Sequence, residues 1–210
     1  MRSMTSLAHN PALAVPELAP HEPATLLARL RLRDASALGQ LARMYGSALT
    51  RAAYLHLGDG HAAEDAVQEA LLAAWDAAGR TTDATPVWPW LVGIVFNRCR
   101  KHLRSLTRRR RREQHASAMR LGLAQSGADN VDRLELIRES LLQLPEPLRC
   151  VVIARFEQGL SVSQTALALG LPEGTVKRRC HDAIGRLRVM LGVGPDLIVE
   201  PALQLKRVKP

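Results

Sequence analysis

An all-α fold of two small helical domains joined by a flexible linker is predicted, on three observations. Apolar residues recur at three- and four-residue steps in several separate stretches, and no strand-like alternation competes with them. Hydrophobic residues make up 47% of the 210-residue chain but aromatics only 3%, which favours small helical units packed through Ala and Leu. Between Ser105 and Asp129 the apolar period fades, and the helical signal divides into two blocks.

The elements follow in order. Residues 1–23 are Pro-rich and aperiodic, which reads as a disordered extension. Helical signals begin near Ala24, and the first domain is expected over 24–104. A long helix from Ala35 to Leu57 has Asp34 as its N-cap and Gly58 just past its end. A second, from about His61 to Ala78, carries the stripe Val67, Ala70, Leu71, Ala74 and Trp75 inward. Glu64, Asp65, Gln68 and Glu69 then form an acidic outer face. After the polar stretch Gly79 to Thr85, the residues Trp88, Leu91, Ile94, Val95 and Leu103 predict a further helix, with Asn97, Arg98, Lys101 and Arg104 on its exposed side. Trp90 is expected in the core, whereas Trp88 suits either the core or a stacking surface.

Residues 105–130 read as the linker, with the basic run Arg108 to Arg112 at its start. That run either extends the preceding helix into solvent or attracts phosphates unspecifically. The second domain, 131–191, is expected to hold helices from Val131 to Leu144 and from Pro147 to Gln158, then two short helices across a tight turn. Ser161 and Gln164 form a capping box, Gly170 stops the first of these helices, and Pro172 opens the second. Val176, Cys180, Ala183, Ile184, Leu187 and Leu191 make its inward stripe, and Lys177, Arg178, Arg179, His181 and Arg186 leave the other face cationic. This is a helix-turn-helix, whose second helix suits a major groove. Residues 192–210 form a tail without a clear period.

Charge and composition bound the function. A formal charge of +9 and an isoelectric point near 10.4 call for a polyanionic partner, nucleic acid first. The longest apolar run, Val87 to Phe96, is too short to span a bilayer, so no membrane insertion is expected. Prolines at 11, 16, 20 and 23 interrupt any signal-peptide core, which points to the cytoplasm. Cys99, Cys150 and Cys180 are far apart and lack a CxxC pair, so no metal, cofactor or disulfide framework is expected. The seven histidines form no HExxH pair, and no P-loop or GxSxG elbow is present, so no catalytic residue is assigned. Asp65 and Glu69, one turn apart, are better placed for a partner helix than for magnesium. A stand-alone regulator binding two half-sites as a dimer would need a pairing element, and no coiled-coil heptad is visible.

Taken together, DAVQEALLAAW, WPWLVGIVFNRCRKHLR and LPEPLRCVVIARFEQGLSVSQTALALGLPEGTVKRRC resemble a bacterial RNA polymerase sigma factor of the extracytoplasmic-function group. That group has only sigma regions two and four. The resemblance implies a non-enzymatic factor that binds core RNA polymerase and directs promoter-specific initiation in the bacterial cytoplasm. It implies that Asp65, Gln68 and Glu69 meet the clamp helices of the beta-prime subunit, that the beta flap is a second contact, and that an anti-sigma factor is a further possible partner. It also implies that the loop Thr81 to Val87 cups a flipped base of the minus-ten element, with Asn97, Arg98, Lys101 and Arg104 holding DNA as it melts. At the minus-thirty-five element the implied contacts are Glu173, Thr175, Lys177, Arg178, Arg179, His181 and Asp182. Arg178 is the foremost of these, because a guanidinium can hold guanine through two hydrogen bonds. Lys177 and Arg179 suit phosphates equally. The chain departs from the family at Phe96, where a basic residue is common, at Lys101, where an acidic one is, and at Asp182, where a basic one is. A carboxylate at Asp182 either repels phosphate or accepts from a cytosine amino group.

Overall fold

The computed structural model describes residues 22–116 and 132–192, with side chains over 26–105 and 138–192. Every regular element among them is helical. Helix α1 (Glu22–Arg31) leads into α2 (Ala35–Leu57), with bounds and caps as the sequence predicts. Asp34 caps α2 by accepting from the Ser36 backbone N–H and hydroxyl, while Arg29 Nε donates to its other oxygen at 2.8 Å. These partners, the Ser36 hydroxyl foremost, lower the Asp34 carboxyl to about 2. Gly58 ends α2 at φ 77°, in the left-handed region that glycine enters without steric cost.

Helix α3 (Gly60–Ala77), capped by Asp59, packs on both α2 and α4 and buries Ala63, Ala66, Ala70 and Ala74. Small side chains on a buried stripe let packed helix backbones approach closely. Leu71 and Trp75 are only half-buried beside them. A 3₁₀ turn (Ala78–Arg80) and a short loop precede α4 (Val87–Ala116), whose Leu91, Val92, Val95, Phe96 and Cys99 complete the first core.

The second unit runs α5 (Asp132–Gln143), α6 (Glu146–Val152), a π-helical turn (Ile153–Glu157), α7 (Val162–Leu169) and α8 (Glu173–Leu191). The capping box is formed in full: Gln164 N–H donates to Ser161 Oγ at 3.1 Å, and Ser161 N–H donates to Gln164 Oε1 at 2.8 Å. Gly170, at φ 63°, closes α7, and Pro172 stands at the N-cap of α8, one position ahead of its expected first turn. Losing a cap of this kind costs about 0.5–2 kcal/mol. Ser161→Ala is therefore expected to lower the urea midpoint of the chain without changing its m-value.

Besides one-residue shifts at the ends of α3 and α5, the boundaries differ from expectation as follows. Helix α1 begins at Glu22, two residues inside the expected extension. The expected linker starts as helix, because α4 continues through the Arg108–Arg112 run to Ala116. Residues 94–116 contain no Gly or Pro, and Arg, Lys and Leu are good helix formers, so fading apolar periodicity did not mark the end of the helix. The expected helix Pro147 to Gln158 begins one residue sooner and finishes in the π turn. The remainder of the extension, residues 117–131 and the tail beyond Gly192 lie outside the described residues.

The two units dock on each other. Most of their buried side chains form one continuous cluster, running from Leu26 through Phe96 to Ile153 and Val176, beside a smaller one of Leu141, Leu144, Val152 and Ala183. Helix α7 lies on α4 so closely that a Cβ at Gly93 would stand 2.4 Å from the Ala168 carbonyl oxygen. Polar links cross the same seam. The Trp88 indole N–H donates to the Gln158 carbonyl at 3.0 Å, Arg100 Nε to Glu146 at 2.9 Å, and Arg138 to the Gly58 carbonyl; Arg51 pairs with Glu157.

Candidate functional site

Asp65, Gln68 and Glu69 are all exposed on α3, one helical turn apart on the face opposite its alanines. The same face continues through Leu72, a leucine 61% exposed, to Asp76. Leu72 thus stands exposed between the carboxylates of Glu69 and Asp76. Stepping on from Asp65 at helical spacing reaches Leu72, so the sequence held this signal.

Loop 81–86 is tied down from both sides. Thr85 Oγ1 accepts from the Thr82 N–H, and the Thr81 hydroxyl donates to the Ala78 carbonyl. From α1, Arg31 donates to the Thr81 carbonyl and pairs with Asp83. No local pattern reveals that anchor, since 52 residues separate Arg31 from Asp83. Beyond the loop, Asn97, Lys101 and Arg104 are exposed on α4. Arg98 is half-buried, and its guanidinium lies 3.8 Å from Glu69 on α3. The acidic and basic faces therefore meet along one edge.

Both tryptophans at the start of α4 are half-buried against the core. Trp88 stacks on Tyr45 with ring centroids 5.2 Å apart, while its indole nitrogen is engaged across the seam. Phe96 is fully buried, its ring 5.3 Å from that of His56.

On α8, Val176, Cys180 and Ala183 point into the core. Glu173, Lys177, Arg178, His181 and Asp182 are exposed, while Thr175 and Arg179 are half-buried. His181 Nδ1 lies 3.6 Å from its neighbour Asp182. All three cysteines are free and buried. Burial raises each thiol, Cys99 to about 12, so they stay neutral. Among the described residues no group of three His, Cys, Asp or Glu is placed to hold a metal ion, and no helix is long and apolar enough to cross a membrane.

The helices that carry these faces coincide with two family models. Residues 41–109 match sigma-70 region 2 and residues 134–187 match sigma-70 region 4. The extracytoplasmic-function (ECF) RNA polymerase sigma factor SigM of Mycobacterium tuberculosis is 37% identical over 172 residues, 80% of this chain and 84% of SigM. The chain belongs to the ECF RNA polymerase sigma factors. SigL of the same organism is also 37% identical, over 75% of this chain and 90% of its own. Two solved structures share the fold at 26% identity. CnrH, in complex with the cytosolic domain of CnrY, superposes with a TM-score of 0.63 over 81% of this chain and 97% of that one. The sigma factor RpoE, in complex with the anti-sigma factor NepR from Bartonella quintana, gives 0.58 over 74% and 96%. As a sigma factor, the chain binds core RNA polymerase and directs promoter-specific transcription initiation.

Proposed function

We propose that this sigma factor meets the beta-prime clamp helices through Asp65, Gln68, Glu69 and Leu72, with the beta flap contacting the second unit. The observation that carries this assignment is the exposed carboxylate stripe on α3, on the same chain as the exposed basic helix α8. Carboxylates on a rigid helix suit basic partner helices, where complementary charge sets orientation and association rate. Leu72 supplies the dry centre such a patch needs.

Asn97, Lys101 and Arg104 hold the melted minus-ten strand, and loop 81–86 receives its flipped base. Arg98 is shared between that task and Glu69. On α8, Arg178 reads a base of the minus-thirty-five element. Glu173, Thr175, Lys177, Arg179, His181 and Asp182 line the groove around it, Thr175 and Arg179 from half-buried positions. The factor acts by recruitment and positioning, not by bond chemistry, in the bacterial cytoplasm where polymerase works. An anti-sigma protein holds it when it is not needed, a reading supported by the complex of RpoE with the anti-sigma factor NepR.

The docked arrangement is not the one that reads a promoter. Elements about 25 base pairs apart lie about 85 Å apart on B-DNA. A compact chain of this length measures roughly 45 Å across. The seam between α4 and α7 must therefore open on the promoter.

Run-off transcription tests the assignment. Core polymerase plus this chain is expected to initiate from a promoter that core alone ignores. Arg178→Ala should lose about 1–3 kcal/mol of discrimination at one upstream position, while Lys101→Ala should weaken all promoters alike and flatten the salt slope. Equal losses on every promoter for both variants would overturn the separation of base reading from phosphate holding.

A further inference from the structure

His56 has no part in the faces described above, yet it sits where the two units meet. It is fully buried in the last turn of α2. Its Nε2 lies 3.5 Å from Glu146 Oε1 on α6, but neither ring nitrogen makes a hydrogen bond. The groups around it come from every element packed there. Helix α4 brings Phe96 and Arg100; α6 brings Glu146 and Arg149; α5 brings Arg138 to the Gly58 carbonyl, two residues on. Glu146 is already held by Arg100, so one carboxylate stands against two guanidiniums. A proton on His56 would add a second uncompensated positive charge to a dry site.

We propose that His56 is an acid-sensitive latch on the docked form: the seam closes over a neutral imidazole, and opening it lets the ring take a proton from solvent. Two of the charged groups facing it, Glu146 and Arg149, belong to the second unit, so separation uncovers the ring. While the seam is closed, burial first, then Arg149 and Arg100, holds His56 down at about 3. Once open, the ring returns to about 6.5. Its neutral form thus supports closure fully above that pH. Closure weakens as pH falls below it, about tenfold per unit, until the closed form itself titrates. Between pH 7.5 and 5.5 the closed-to-open ratio falls about tenfold.

The Trp88 indole N–H reports the seam directly, because its hydrogen bond to Gln158 crosses it. Its solvent exchange in the full-length protein, followed by NMR and corrected with free tryptophan, gives a protection factor at each pH. The wild-type factor is expected to drop about tenfold from pH 7.5 to 5.5, while in His56→Leu it stays constant. His56→Gln, which keeps a neutral polar side chain, serves if the leucine variant loses its helical circular dichroism. A wild-type factor that does not change with pH, or an equal drop in the non-titrating variants, overturns the latch. Neither polymerase nor DNA enters the measurement, so its failure leaves the promoter-reading assignment standing.

Discussion

Phe96→Ala is expected to lower the free energy of unfolding by about 3–5 kcal/mol, the range for removing a buried phenylalanine ring. Phe96 is wholly inaccessible, on α4 between the first core and the seam, and its ring faces His56. Truncation removes its dispersion contacts and leaves a cavity bounded by α2 and α4 backbones that packed helices cannot close. Domains of this size are stable by roughly 5–15 kcal/mol, so the loss is a large fraction of the total. Urea unfolding followed by circular dichroism should show a much lower midpoint. A change below about 1 kcal/mol would mean that neighbouring side chains refill the site, and that Phe96 is not the keystone its burial indicates.

The same residue shows how much of the molecule could be read from sequence. Phe96 stood out by resemblance, as an aromatic where relatives commonly carry a basic residue, but periodicity along α4 could not say what it met. Its partner His56 lies 40 residues earlier on another helix, and the third member of the cluster, Glu146, lies beyond the expected linker. Features set by local chemistry were legible to the residue: Asp34 and Gly58 bounding α2, the Ser161–Gln164 box, and the Val176, Cys180 and Ala183 stripe of α8. Caps and stripes depend on neighbours within a turn or two, so the chain states them directly. The α3 face was equally readable, since Asp65, Gln68 and Glu69 are simply what remains once its alanines turn inward, whereas Arg98, Thr175 and Arg179, expected on exposed faces, are half-buried.

What the sequence did not disclose depends on the meeting of distant surfaces. The tie from Arg31 to Asp83 and the pairing of Arg98 with Glu69 each join groups from different helices. The docking of α7 on α4 was hidden for the same reason. Gly93 reads in isolation as a weak point in a helix, about 1 kcal/mol worse than alanine. Only the Ala168 carbonyl pressed against it explains the missing side chain.

Gly93→Ala is therefore expected to act in opposite directions on the two levels of structure. Within α4 the alanine should strengthen the helix by up to about 1 kcal/mol. At the seam, its Cβ would stand 2.4 Å from the Ala168 oxygen and 3.2 Å from the carbonyl carbon. Both are backbone atoms of a packed helix, which cannot swing aside as a flexible side chain would. Helix α7 must lift, and the links from Trp88 to Gln158 and from Arg100 to Glu146 lengthen with it. Small-angle scattering should show the radius of gyration rising above the roughly 17 Å of a compact chain of this length, with helical circular dichroism unchanged. The Trp88 indole N–H should lose its protection at both pH 7.5 and 5.5, because a seam already open has no use for the His56 proton. Unfolding should also change character. One shared core favours a single cooperative transition in the wild type, whereas separated units should melt in two steps. If Gly93→Ala stays compact, protects Trp88 and melts once, α7 has room to slide, and close approach at Gly93 is not what sets the docked form.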